Sequence, residues 1–406
     1  MKWAWLTLRP QEPLVLGEVR VGAHVLTTLP YIPGRVARGA WADWLLARGE
    51  GDGLAATMED VRIGNFFPAP EWRPVRYASP FLMSALTCKE KPGFRAESRP
   101  SRESHGVVDT LIPHLAYELL RAEGARFPVP FAITCQRCGG RMEPVPGFYV
   151  VYQDDRAGPR YAGVRPRYHA QTKVGLDRGR RAAAEGVLYN VTALSPWVDA
   201  PDGHGGTAQL QFVGRVRGPA EKVDDLIDAL NAVPLGALRS RGYGRVRAER
   251  REGDFPSVAE RLRRFNDRLV EMWSDLRRLT VSADALPDRP RGTYFSVDLL
   301  APGVFRRQGL PALVPALSVD GVLLEPVFWL TRPGLAGGWS IAWGLPKPTD
   351  LAARAGSVYV FRWDGPVDAL VGALEEIEQH GVGERRDEGF GECLVCHPWH
   401  EEVQER

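Results

Sequence analysis

The amino-acid sequence predicts an α+β protein of two ferredoxin-like (RRM-like) βαββαβ domains with glycine-rich loops and an inserted zinc-binding segment. Three observations predict it. A strand, a helix and a glycine loop recur in the same order in the two halves. A long segment inside the first copy carries closely spaced cysteines. The composition, 406 residues with 44% hydrophobic and 25% charged, fits a globular chain and not a collagen-like, disordered or membrane protein.

The first copy of the repeat runs from the strand Gln209–Val216 through a helix around Val223–Leu230 into the loop Gly236–Val246. The second runs from the strand Ser357–Trp363 through a helix around Val367–Ile377 into Gly381–Cys393. The strands are short runs of β-branched and aromatic residues. The helices rest on apolar spacing of three and four: Val223, Leu226, Ile227, Leu230, and Val367, Leu370, Val371, Leu374. Both loops end in Gly-aromatic-Gly. A lone Gly-x-Gly is explained by a helix C-cap. The same loop twice, after the same elements, points to duplication. Glycines flanking an arginine-bearing turn let amides and guanidinium groups approach a phosphate without Cβ obstruction.

The βαββαβ order makes Lys2–Leu8 the first strand. Tyr31–Trp41 leads into a helix reaching about Leu46, with Pro33 well placed at its start. Tyr294–Leu300 opens the second copy. Between the copies, Val258, Leu262, Phe265, Leu269, Trp273 and Leu276 form one stripe of a long helix, read as a packed connector. The expected division is an N-terminal domain over 1–255 with an insertion at about 60–160, a connecting helix and linker over 256–290, and a C-terminal domain over 291–406.

Charge is unevenly spread. Only six of the 52 Lys+Arg residues are lysine, and arginine is the cation suited to phosphates and to stacking on bases. A GC-rich coding bias also raises arginine. Residues 160–181 carry a net charge of +6, residues 235–251 carry +5, and residues 364–406 carry −9. Basic patches neutralise a phosphate backbone. The acidic end is expected to face solvent or a basic protein partner.

The run Trp3–Leu6 is broken by Arg9 and Pro10, which predicts a strand and not a signal peptide. No apolar run approaches the ~20 residues that span a bilayer. Five cysteines are too few and odd for a disulfide framework, so a reducing cytoplasm is the expected compartment. Cys135-Gln136-Arg137-Cys138-Gly139-Gly140 is half of a zinc-ribbon pattern, since two thiolates at this spacing bite one tetrahedral ion. Cys88 is the third ligand. The fourth is His105 or His114, with His105 the expected ligand. Cys393 and Cys396 have the same spacing but read as strand, where positions three apart face opposite ways, so core packing is expected.

A metal-independent ribonuclease needs a base for the 2′-hydroxyl and an acid for the leaving oxygen. The segment Val36–Leu46 holds no His, Tyr or Lys, and Tyr31 and His169 are isolated. Asp109 is the one aspartate singled out for a metal-dependent cut. No catalytic residue is assigned, and the chain is expected not to be an enzyme. The competing functions are a guide-processing or target-cleaving endoribonuclease and a generic RRM-like RNA-binding protein or protein scaffold.

With these motifs, Ile32-Pro33-Gly34-Arg35 through Gly39 before a helix and the glycine loops 236–244 and 381–391, the sequence resembles the RAMP superfamily of CRISPR-associated proteins. Within it the chain looks most like the Csx-ten family, the Cas-five-like subunit of type III-D effector complexes. That likeness rests on Leu86–Lys89 with Gly93-Phe94, His105–Leu111, Ala184–Tyr189, and Gly338-Trp339 with Gly356–Tyr359. The resemblance implies a non-catalytic subunit that holds the 5′ repeat-derived tag of the CRISPR RNA. It would cap the complex beside the large Cas-ten-type subunit and a Cas-seven-like backbone subunit, meeting target RNA indirectly and no membrane. Arg35 and Arg38 match the turn and first helix that face RNA. Gly236, Arg239, Arg241, Gly242, Tyr243, Gly244 and Arg245 match the glycine loop. Tyr243 has two readings, a base-stacking ring worth ~1–3 kcal/mol or a core aromatic. His169, Lys173, Arg178, Arg180 and Arg181 lie on a polar hairpin that wedges against the guide in Cas-five-like proteins. The second loop, with Glu384, Asp387, Glu388 and Glu392 around Arg385 and Arg386, is read as a protein contact.

Overall fold

In the first half, β1 (Trp3–Pro10) is buried along most of its length, as a strand covered on both faces must be. Helix α1 (Gly34–Ala47) starts behind Pro33 and turns Ala37, Ala40, Trp41 and Leu45 inward at helical spacing. Then come β2 (Phe67–Pro70), β3 (Thr207–Arg217), α2 (Ala220–Ala232) and β4 (Val246–Arg251). The spatial order is β4-β1-β3-β2, every neighbouring pair antiparallel. Register is explicit: Leu6 faces Gly214 on β3 and Arg250 on β4. The computed structural model describes residues 3–17, 25–97, 103–153, 159–200, 206–253, 255–281, 285–340 and 344–402.

Helix α3 (Val258–Arg277) follows. Ser257 caps it, its hydroxyl accepting from the Glu260 amide at 3.2 Å, the geometry of a Ser-x-x-Glu box. The expected stripe is buried at Val258, Leu262, Phe265, Leu269 and Trp273. Beyond it lie β5 (Thr293–Leu299), β6 (Phe328–Leu330), β7 (Val358–Trp363), α4 (Val367–His380) and β8 (Cys393–Val395). Their order is β8-β5-β7-β6, again all antiparallel. The fold is mixed α+β, and the two sheets share one strand order.

The second copy departs from the expected βαββαβ pattern. No helix stands between β5 and β6. Residues 300–327 instead form two small hairpins, Phe305–Arg307 with Leu310–Ala312 and Leu317–Val319 with Val322–Leu324. Pro302, Pro311 and Pro315 and the glycines at 303, 309 and 321 are poor helix residues and explain the loss. Helix α3, which precedes the sheet in sequence, packs against β5, β8 and α4. The connector stripe therefore faces the second sheet.

Between β2 and β3 the insertion forms two three-stranded sheets. One pairs Val75–Pro80, Phe148–Tyr152 and Arg160–Val164; the other pairs Ala85–Cys88, Val107–Asp109 and Met142–Pro144. The helix Leu111–Ala122 packs on α3. A long hairpin, Pro166–Asp177 with Ala182–Asp199, then extends from the edge of the first sheet. One contiguous hydrophobic core runs from Trp41 and Phe212 through Tyr149 to Phe361 and Trp399. Among the described residues, no helix is long and apolar enough to cross a membrane.

Candidate functional site

The two glycine loops share one backbone solution. Leu235 donates its amide to the Gly244 carbonyl at 2.8 Å, and Val382 to that of Gly391 at 2.9 Å. Ala237 donates to Val15 O and Glu384 to Val304 O, both at 2.8 Å. Gly244 donates to Pro13 O at 3.0 Å and Gly391 to Pro302 O at 2.9 Å. Leu238 and Arg385 both turn left-handed, at φ 60° and 56°. Gly236 and Gly383 sit at φ 80° and 81°, and a Cβ there would lie 2.2 Å from Val15 O and 2.4 Å from Val304 O. Only glycine meets both demands.

The loops differ in what surrounds them. Loop 1 rests on the long hairpin and on α1. Arg239 pairs with Asp43 of α1 at 2.6 Å, and Arg241 donates to the Tyr189 hydroxyl on the hairpin. Tyr243 donates to Gln171 Oε1 at 2.8 Å, with Lys173 above its ring at 5.6 Å. The two basic stretches of the sequence thus meet. Past them the hairpin projects outward, with Arg178, Arg180 and Arg181 exposed at its turn and the Asp177 side chain accepting from the Gly179 amide. His169, also exposed, contacts Gln171 at 2.7 Å. Arg245 is exposed and 3.8 Å from Glu12.

Tyr243 is 4% exposed and packs with Val15, Val191 and Ala193. The core-aromatic reading describes it, and its ring offers no free face. Phe390, its counterpart in loop 2, is equally buried at 4%. Arg38 hydrogen-bonds the Met58 carbonyl at 3.2 Å. Arg35, at the other end of α1 from Asp43, faces loop 2 and lies 5.5 Å from the Phe390 ring. The expected binding residues therefore fall into a loop 1 and hairpin group and a separate Arg35.

Loop 2 contacts the chain's own first domain. Asn65 donates to the Gly389 carbonyl at 3.0 Å and to Glu392 at 2.8 Å, and its Oδ1 accepts from the Gly34 amide at the start of α1. Arg385 is held by Asp350 and Glu388, both at 2.9 Å. The acidic C-terminal end, expected to face solvent or a partner, divides: Asp364, Asp368, Glu375, Glu376, Glu384 and Asp387 are exposed, while others are met from within. Glu378 takes Arg215 and Arg261, and Glu402 takes Arg76.

The cysteine segment converges as the spacing implied. The ligand atoms of Cys88, His105, Cys135 and Cys138 all lie within 4.8 Å of one another. Cys88 Sγ is 3.6 Å from Cys138 Sγ, and His105 Nδ1 is 3.3 Å from Cys135 Sγ. A tetrahedron of ~2.3 Å zinc–sulfur bonds places its sulfurs ~3.8 Å apart, so the donor set fits that ion. Burial opposes the Cys135 thiolate, but hydrogen bonds from the Cys138 and Arg137 amides and from His105 outweigh it, bringing its pKa to about 6. Glu103 lies 3.8 Å from the far ring nitrogen of His105 and also holds Lys91 and Arg137, a carboxylate–histidine arrangement of the kind that orients metal ligands. His114 is elsewhere, stacked on Phe131 at 4.7 Å. Cys393 and Cys396 are buried in the core, as expected.

Asp109, expected on a loop, ends the strand Val107–Asp109. It is 8% exposed, accepts from Trp399 Nε1 at 3.1 Å and meets His400 at 3.0 Å. Sequence reasoning missed this second buried cluster, because its members lie 291 positions apart.

Comparison with known structures finds, for example, the "Type III-B Cmr-beta bound to cognate target RNA". It is 12% identical, with a TM-score of 0.40, covering 94% of this chain and 91% of that one. A chain of the "Csm3-Csm4 subcomplex in the type III-A CRISPR-Cas interference complex" is 11% identical, with a TM-score of 0.32, covering 90% and 95%. At such scores the overall superposition is loose. No curated protein matches the chain in sequence. The family match names Cas_Cmr3 and not the Csx-ten family. It spans β5 to β8 and takes in loop 2: residues 271–398 of this chain match the family described as CRISPR-associated protein (Cas_Cmr3).

Proposed function

We propose that the chain is a non-catalytic RNA-binding subunit of a type III effector complex. It consists of two ferredoxin-like domains, 1–255 and 291–406, the second borrowing its first helix from the connecting segment 256–290. The finer assignment, a Cas-five-like subunit of the Csx-ten kind that holds the 5′ tag of the CRISPR RNA beside the Cas-ten-type and Cas-seven-like subunits, is part of the same proposal. One observation carries the RNA reading: loop 1 and the long hairpin form one arginine-bearing face, with Arg178, Arg180 and Arg181 exposed beyond it. The non-catalytic reading is supported by the burial of Asp109 against Trp399 and His400.

The test is co-purification with sequencing of bound RNA; short RNAs sharing one 5′ end are expected. Charge reversal of Arg239 and Arg241 together is expected to weaken RNA binding at least tenfold, by losing phosphate contacts and adding repulsion. Binding that does not change with salt, or with this double variant, would overturn the reading.

We further infer that Cys88, His105, Cys135 and Cys138 hold one structural zinc that clips the insertion together. The ion would supply a four-point crosslink, with His105 and Cys88 fixing its strand side and Cys135 and Cys138 its turn side. Elemental analysis of the purified chain is expected to find about one zinc per molecule, and C135S/C138S almost none. Zinc well below stoichiometry in the unmodified chain, purified without chelator, would end this inference.

A further inference from the structure

Beside the contact between loop 2 and α1 lies a cavity of about 710 Å³. Its first-domain wall holds Tyr31 and Arg35. Its second-domain wall holds Phe390 and the paired strands Pro333–Ala336 and Asp350–Ala353, with Arg354 at their end. No acidic residue lines it. The nearby acids are already engaged: Glu388 holds Arg385 and Lys347, and Asp350 holds Arg385 and Arg306.

The two lining arginines differ from the many ion-paired ones. Among the described residues, the side chains of Arg35 and Arg354 have no hydrogen-bonding or ion-pairing partner. Arg35 is largely buried, and this burial pulls its pKa below the ordinary arginine value. A guanidinium withdrawn from water without an anion is costly to the fold, and an anionic ligand would offset that. The remaining walls are mostly apolar, with Thr349 and Tyr31 the other polar side chains. Leu335 is 74% exposed and Leu351 37% exposed, both along this cavity. Two cations without an anionic partner beside an apolar wall, in a space within the usual ~300–1,000 Å³ of ligand sites, call for a ligand with an anionic head and a flat, weakly polar body.

We propose that this interdomain cleft is a nucleotide site, with phosphate on Arg35 and Arg354 and the base against Leu335 and Leu351. The site rests on the RNA reading above and deepens it: the occupant is a nucleotide unit of a single-stranded RNA running from the loop 1 face onto the second domain. Arg354 is exposed, so its replacement leaves the core untouched.

The test uses the full chain, a fluorescent single-stranded RNA of a dozen nucleotides, and AMP, with Arg354→Ala, Arg354→Lys and the Arg239/Arg241 charge reversal compared. Arg354→Ala is expected to weaken RNA binding about tenfold and to lower the log–log salt slope by about one, with Arg354→Lys partly restoring both. AMP binding that Arg354→Ala abolishes would assign a free nucleotide as occupant; RNA binding alone assigns the chain segment. RNA affinity and salt slope unchanged by Arg354→Ala, while the loop 1 variant weakens binding, would overturn the cleft and leave the RNA reading standing. No RNA binding by the unmodified chain would overturn both.

Discussion

Glu378→Ala is expected to cost about 3–5 kcal/mol of folding stability, a large part of the ~5–15 kcal/mol typical of a folded protein. Glu378 lies on α4, is 8% exposed, and accepts from Arg215 of β3 at 3.3 Å and from Arg261 of α3 at 2.7 Å. The Val395 amide of β8 also donates to it at 3.2 Å. One carboxylate therefore ties both sheets to the connecting helix. Arg215 and Arg261 are 4% and 2% exposed; without Glu378, Arg261 loses its ion-pair partner and Arg215 the nearer of its two carboxylates. Arg261 keeps a hydrogen bond to the Val395 carbonyl, which supplies no negative charge, while Arg215 keeps Glu392 at 3.9 Å and its stacking on Trp3. Glu378→Gln, which keeps acceptor and volume, should fall between. Denaturant titration of the three proteins measures the difference. A loss below about 1 kcal/mol for the alanine variant, the level of an exposed pair, would show that the network is not the clamp described.

His400→Ala is the second large effect, again about 3–5 kcal/mol. His400 is fully enclosed between two carboxylates, Asp109 of the insertion and Asp298 of β5, at 3.0 Å on each ring nitrogen. Ser296 and the His397 amide also donate to Asp298. Burial opposes the imidazolium, but the two carboxylates outweigh it and bring its pKa up to about 10. The neighbouring His397 is driven the other way, first by burial and then by the charge on His400. The sign of the pH effect follows. The folded pKa of His400 lies above the unfolded value of ~6.5, so the folded state holds its proton more tightly. Its contribution is complete below about pH 6.5 and is lost as pH rises towards 10. Unmodified protein should lose stability between about pH 7 and 10, and His400→Ala should lose much less over that range. Parallel pH profiles for the two proteins would sink the assignment.

The strand–helix–loop repeat was legible because it is local. Apolar spacing of three and four marks α2, α3 and α4, and the alignment of Gly236, Gly244 and Tyr243 with Gly383, Gly391 and Phe390 is carried by a backbone that needs glycine at the same places. The cysteine cluster was legible for a related reason: metal ligands are few in kind and their spacing in a turn is restricted. Cys135 and Cys138 announce the turn, while Cys88 and His105 are found by chemistry and not by position.

Other features had no local signature. Residues 300–327 form hairpins, and the helix on that side of the second sheet comes from the preceding segment. The acidic end, expected to face solvent or a basic partner, does so only for part of its acids, because a sum of charges cannot say which arginine each acid meets. Arg35 and Arg38, three positions apart on one helix, face different surroundings, since only packing decides that one looks at loop 2 and the other at Met58.

By itself, the sequence determined the mixed α+β class, the duplicated glycine loops, the packed stripe of α3 and the donor set for a metal. These follow from backbone preference, helical periodicity and the chemistry of the few residue types that bind a metal. Only the tertiary structure decided that loop 1 and the long hairpin form one face, that loop 2 is buried against α1, and that Glu378 and His400 are enclosed by opposite charges. Those outcomes depend on contacts from 52 to 327 positions apart, where desolvation and charge pairing act through space and leave no mark on neighbouring residues.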